Sequence, residues 1–184
     1  MSDGMFRTVS GLKQGYDPDE VDDFFAHARA VYETGPAAAL GSKDVRGVAF
    51  DMVRGGYVTA AVDAALDRLE AAFVARSRAD YISTQGQQAW MNRLSEQART
   101  LYGRLGRPDG DRFAAPDGRQ QGYEPADVDE LCQRLVAYFD KGTPLSAAEV
   151  RSATFRRRKG RNAYAEGPVD AFLARAVEVL LGVE

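Results

Sequence analysis

Apolar residues recur at helical spacing in five stretches of the chain, and each predicts an amphipathic helix. Val21, Phe24, Phe25, Ala28, Val31 and Tyr32 share one face. Val62, Ala65, Leu66, Leu69, Ala72 and Phe73 form the second, and Trp90, Leu94, Ala98, Leu101 and Leu105 the third. Val128, Leu131, Cys132, Leu135, Val136 and Phe139 form the fourth. Val169, Phe172, Leu173, Ala176, Val177, Leu180 and Leu181 form the last. Asp17 is placed to cap the first helix, with Pro18 at its first position and Glu20 set to close a capping box. Glu124-Pro125 repeats that logic, and Glu166 and Pro168 fall in the first turn of the last helix. Thr59 is the one cap candidate for the second helix. Stops are expected at Gly35-Pro36, at Gly106 with Pro108, at Gly142 with Pro144, and at Gly182. Shorter helices are expected over 42–50 and 146–155, each from a Ser cap, and 106–118 reads as a linker. The Gly-, Lys-, Gln- and Arg-rich stretches before Tyr16, Tyr57, Tyr123 and Tyr164 read as loops or short extended segments.

The same residues recur at a fixed distance. Phe6, Gly15-Tyr16 and Val21-Asp22 return at one constant offset as Phe113, Gly122-Tyr123 and Val128-Asp129. Leu40, Val45-Arg46 and Phe50 return as Leu145, Val150-Arg151 and Phe155, at an offset shorter by two. Tyr57 and Val62-Asp63 return as Tyr164 and Val169-Asp170, at the first offset again. In all four copies the Tyr precedes the Val by five positions. The pattern predicts an all-α fold of internally duplicated units, with short capped helices, loops and longer amphipathic helices. The first half is expected at 1–107, with the Trp90 helix as an addition, and the second at 108–184.

Composition places the chain among ordinary globular proteins: 45% of residues are hydrophobic and 28% charged. A net charge of −3 gives no global attraction to nucleic acid or anionic lipid, so any such binding must be local. No apolar run reaches the roughly 18 residues of a membrane span, and the N-terminus lacks a signal-peptide pattern, so a cytoplasmic protein is expected. Cys132 is the single cysteine and sits in an apolar stripe, which suits a small hydrophobe.

The motifs resemble a known family. Gly15-Tyr16-Asp17-Pro18-Asp19-Glu20-Val21-Asp22-Asp23-Phe24 resembles the start of DivIVA proteins, as does Leu145 through Leu173 with its Val150-Arg151, Phe155, Tyr164 and Val169-Asp170. Repeated copies in one short chain resemble a repeat-bearing branch typical of actinobacteria. The resemblance implies a non-enzymatic adaptor of bacterial cell division or polar growth, membrane-peripheral at poles or septum. It would dock on a DivIVA-type scaffold or on a copy of itself. In the family two chains pair through intertwined loops, and a Phe-Arg before Gly-Tyr meets the bilayer. Here those positions read Lys13-Gln14, Arg54-Gly55, Gln120-Gln121 and Arg161-Asn162, which leaves electrostatic attraction as the implied membrane contact. The stretch after Val169 runs only to Glu184, so the resemblance implies a docking module without the family's polymerising coiled coil. The two halves are expected to pack about a pseudo-twofold axis, one chain imitating the family dimer.

Candidate contacts follow. The run from Arg151 to Arg161 holds six basic residues and no acid. Arg156, Arg157, Arg158, Lys159 and Arg161, with Lys13 and Arg54, are the candidates for anionic lipid or an acidic partner. The same run fits phosphates of nucleic acid, the alternative function, or a solvated loop paired with the protein's own acids. The repeated Tyr residues and Val-Asp pairs read as structural, packing at helix entries. The acids Asp17, Asp19, Glu20, Asp22 and Asp23 lack calcium-loop spacing and suit a helix N-terminus. His27 reads as a surface residue. Trp90 reads as core, with partner docking as the other reading. No catalytic, phosphate-loop, dinucleotide or zinc spacing is present, so neither enzyme activity nor a cofactor or metal is expected.

Overall fold

The computed structural model describes residues 4–35 and 39–184. Contacts divide the chain into two compact units, Met1–Tyr81 and Ile82–Glu184. The first contains β1 (Gln14–Tyr16), α1 (Pro18–Thr34), α2 (Ser42–Gly47), β2 (Met52–Arg54) and most of α3 (Thr59–Gln85). The second contains α4 (Gln87–Leu105), β3 (Gln121–Tyr123), α5 (Pro125–Lys141), α6 (Ala147–Arg151), β4 (Arg157–Lys159), a 3-10 turn at Gly160–Asn162 and α7 (Glu166–Val183). The fold is mostly helical. It is not purely so, because the segments before the tyrosines pair as two antiparallel ribbons, β1 with β2 and β3 with β4.

In the first unit, Ala28, Val31, Leu40, Val45 and Phe73 form one core cluster, against which Phe24, Leu66 and Leu69 pack. Val21, Tyr57 and Val62 form another, with Phe6, Tyr16, Phe25 and Phe50 around it. Arg76 of α3 caps the C-terminal end of α1, donating to the carbonyls of Val31, Tyr32 and Gly35 at 2.7–2.9 Å. The buried carboxylate of Glu70 is held by Arg46 of α2. In the second unit α7 is the central element. It packs on α6 and α4, and α4 also meets α5.

Several boundaries differ from the sequence expectation. The units divide at Tyr81 and Ile82 rather than at 107, because Trp90 and Leu94 of α4 seat on Gly182 of α7. Residues 106–118 are no free linker: Arg112, Phe113 and Pro116 are buried, and the Arg112 N–H donates to the Tyr164 hydroxyl. Gly182 lies inside α7, where a Cβ would strike Leu94. The carbonyl of Gly182 accepts the Trp90 indole N–H at 3.1 Å.

The caps also shift. Asp17 caps α1 as expected, accepting from Asp19 and Glu20 N–H, but Glu20 turns away to accept the Asp51 N–H at 2.8 Å. Ser42 is the first residue of α2 rather than its cap, and Asp44 accepts the N–H of Gly41, the N-cap residue, at 2.8 Å. Ser146 does cap α6, in a box with Glu149. Thr59 opens α3 rather than capping it. The short helices end at Gly47 and Arg151, not at 50 and 155. Gly142 ends α5 in the left-handed conformation, φ 67°. Gly35 ends α1, while Pro36 lies outside the described residues.

Candidate docking surfaces on the two ribbons

Each unit is tied together by a reciprocal exchange between its two Tyr motifs. In the first, Tyr16 N–H donates to the Tyr57 carbonyl at 3.0 Å and Tyr57 N–H returns a bond to the Tyr16 carbonyl at 2.8 Å. In the second, Tyr123 and Tyr164 exchange bonds of 2.8 and 2.9 Å. The ribbon continues outward as Gly15 against Val53 and Gln14 against Arg54, and as Gly122 against Arg158 and Gln121 against Lys159. Glycine is required where the backbones meet. A Cβ on Gly15 would overlap the Tyr57 carbonyl oxygen, and one on Gly122 the Tyr164 carbonyl oxygen.

The side chains cross in the same way. The Tyr57 hydroxyl donates to Asp22 at 3.0 Å and accepts the Met5 N–H at 2.9 Å. The Tyr164 hydroxyl donates to Asp129 at 3.1 Å and accepts the Arg112 N–H at 3.1 Å. Asp63 lies near enough to Tyr16, and Asp170 to Tyr123, to act on the hydroxyl electrostatically. Phe6 and Phe113 stand edge-on to Tyr57 and Tyr164 at 5.4 and 5.2 Å between ring centroids. Val21, Val62, Val128 and Val169 are fully buried beside these pairs. Burial first, with the neighbouring carboxylates added, raises the hydroxyl pKa of Tyr16, Tyr57 and Tyr123, and pushes Tyr164 up to about 12. These groups therefore stay protonated donors.

The second unit reinforces its socket. Asp129 is buried and also accepts the Gly110 N–H at 2.7 Å and a guanidinium bond from buried Arg112 at 2.9 Å. Asp109 holds the same guanidinium from the other side. In the first unit the position equivalent to Arg112 is Met5, which is half exposed.

The ribbon tips are the exposed features. Each turns through a hydrogen-bonded β-turn, Lys13 N–H to the Ser10 carbonyl and Gln120 N–H to the Asp117 carbonyl. The first tip presents Leu12, 90% exposed, beside exposed Lys13 and Arg54. The second presents exposed Arg119, Lys159 and Arg161. Arg161 also edges a cleft of about 410 Å³ with Phe113, Asn162 and Tyr164. Lys13, Arg54, Arg119, Lys159 and Arg161 make no ion pair among the described residues. Leu12 and Arg119 carry no signal in the sequence: the motif points one and two positions before Gly-Tyr, whereas the turn lifts the residue three before the Gly to its crest.

The other candidates are occupied differently. Arg156 grips Asp127 through Nε and Nη2 at 2.6–3.2 Å. Arg158 meets Glu124 at 2.9 and 3.0 Å, and Arg157 meets Glu166 at 3.3 Å. The Arg156 pair draws the Asp127 pKa below its ordinary value. These three arginines thus match the self-paired form of the basic run. Trp90 is 6% exposed and is no docking aromatic; its ring fills the seam between α4 and α7. His27 is exposed. Cys132 is fully buried, and burial pushes its thiol up to about 12, so it remains an unreactive core group. Among the described residues no His, Cys, Asp or Glu cluster is placed to hold a metal ion, and no helix is long and apolar enough to cross a membrane. Searched against protein-family models, curated proteins and solved structures, the chain matches none.

Proposed function

We propose that this chain is an internally duplicated, DivIVA-like adaptor of bacterial cell division or polar growth, non-enzymatic and peripheral to the membrane at poles or septum. The observation that supports it is the reciprocal backbone exchange inside each unit, with one Tyr–Asp hydrogen bond crossing between the motifs beside it. It is the intramolecular counterpart of the intertwined loops by which two chains pair in the family. Each unit of one chain then supplies both partners of that pairing. The equivalent contacts all fall at the same offset in the sequence: Met5 and Arg112, Asp22 and Asp129, Tyr57 and Tyr164. That spacing favours duplication of a motif pair.

The ribbon tips are the docking elements of this adaptor. Lys13, Arg54, Lys159 and Arg161 project from the paired core with no acid holding them among the described residues. Each basic residue near an anionic leaflet contributes about 1 kcal/mol, so the pair on each tip gives weak, salt-sensitive binding. Leu12 adds an apolar side chain at the first tip. A DivIVA-type scaffold is the proposed protein partner, brought to the same surface, since motif pairs closed inside each unit need no second copy. Nucleic acid is disfavoured, because the one aromatic of the basic run, Phe155, packs on Tyr123 at 5.1 Å between ring centroids rather than offering a face for base stacking.

Co-sedimentation with anionic and neutral vesicles tests the reading, comparing the wild type with a Lys13/Arg54/Lys159/Arg161→Ala variant. Binding to anionic vesicles alone, lost in high salt and in the variant, is the expected result. Equal sedimentation of wild type and variant, or none with any lipid, would remove the membrane role.

A further inference from the structure

We propose that Arg156, Arg157 and Arg158 form an autoinhibitory strap, a second anionic-lipid surface masked by the protein's own carboxylates. The proposal rests on the membrane role of the ribbon tips. Three consecutive residues of one exposed segment each end on a carboxylate at the start of a helix. Arg156 is on Asp127 in the first turn of α5, Arg158 on Glu124 at its N-cap, and Arg157 on Glu166 at the start of α7. Helix N-termini attract anionic side chains, so all three anchors sit where a carboxylate is favoured.

Masking is reversible. The arginine side chains are 75%, 59% and 46% exposed, so neutralising their carboxylate partners frees them without unfolding anything. Exposed pairs of this kind are individually weak. Releasing the strap would add three cations beside Arg119, Lys159 and Arg161. The first unit has no equivalent: the matching positions there, counted from Phe50 against Phe155, are Asp51, Met52 and Val53. What the two units share is the backbone clip alone, with Asp51 N–H on Glu20 and Arg156 N–H on Asp127. The guanidinium layer is an addition to a contact that holds without it.

The test uses phosphatidylglycerol and phosphatidylcholine vesicles at low ionic strength. A Glu124→Gln, Asp127→Asn, Glu166→Gln variant should bind phosphatidylglycerol vesicles about fivefold or more tighter than the wild type. A control with the same charge change elsewhere, Asp19→Asn, Asp23→Asn, Glu130→Gln, should gain less than about twofold. Adding Arg156/Arg157/Arg158→Ala to the first variant should return it to the wild-type level. The same arginine substitutions in the wild type should change binding by less than about twofold, since those arginines are already masked; this arm stands even where the carboxylate variant fails to fold. Equal gains in the carboxylate variant and its control, or a large loss in the arginine variant alone, would overturn the strap while leaving the tips intact. Failure of the wild type and every variant to bind either lipid would overturn both. A gain for duplex DNA without a gain for vesicles would overturn the lipid assignment.

Discussion

A single hydroxyl in each unit joins a helix entry to a loop distant in the sequence, and its surroundings set what it is worth. Tyr164 sits between buried Asp129 and the buried Arg112 N–H, so Tyr164→Phe leaves that N–H without its acceptor. We expect a cost of about 1–3 kcal/mol, read from urea denaturation. Tyr57→Phe should cost less, because the Met5 N–H lies beside a half-exposed side chain and water can replace the hydroxyl. Alkaline titration separates the two further. An unfolded tyrosine ionises near pH 10, whereas folded Tyr164 holds its proton to about 12. Its contribution is therefore complete below about pH 10 and fades as pH rises through the folded value. The fall in stability between those limits should be shallower in Tyr164→Phe. A parallel fall in both proteins would show that another group carries it.

At the scale of elements, the ribbons are too short to hold themselves together. Three-residue strands persist because Gly15 and Gly122 let two backbones close on each other while the valines on either side fill the core. Gly122→Ala forces a methyl group into the Tyr164 carbonyl. It should destabilise the second unit by about 1–3 kcal/mol, the cost of overpacking a buried contact, with circular-dichroism melting as the readout. Gly167→Ala, at an open position of α7, serves as the control and should not destabilise. Helices were legible in the sequence because the 3.6-residue period of Val128 through Phe139, or of Val169 through Leu181, depends only on local spacing. The ribbons were not. Their pairing joins segments far apart in the chain, Gln14 with Arg54 and Gln121 with Lys159, and none of these residues carries a periodic signal. The capping box expected of α1 failed for a related reason, although Asp17 caps it: Glu20 satisfies the distant Asp51 N–H rather than its own helix start. Leu12 was invisible because exposure at a turn is a property of the fold rather than of the residue.

For the whole molecule, the spacing of the repeat showed which residues correspond but not which of them meet. Asp22 and Tyr57 belong to different motif copies, and only the folded chain brings them together. Linker-like composition at 106–118 likewise concealed Arg112, whose burial depends on the Asp109 and Asp129 carboxylates arriving around it. If each unit completes its motif pairs internally, a single chain needs no second copy to satisfy them. Light scattering of the purified protein over a wide concentration range tests this directly. The account predicts the mass of one chain, 20.1 kDa, at every dilution. A two-chain mass that reverts to one chain when Tyr57 and Tyr164 are replaced by Phe would contradict it, since the motifs would then be pairing between molecules.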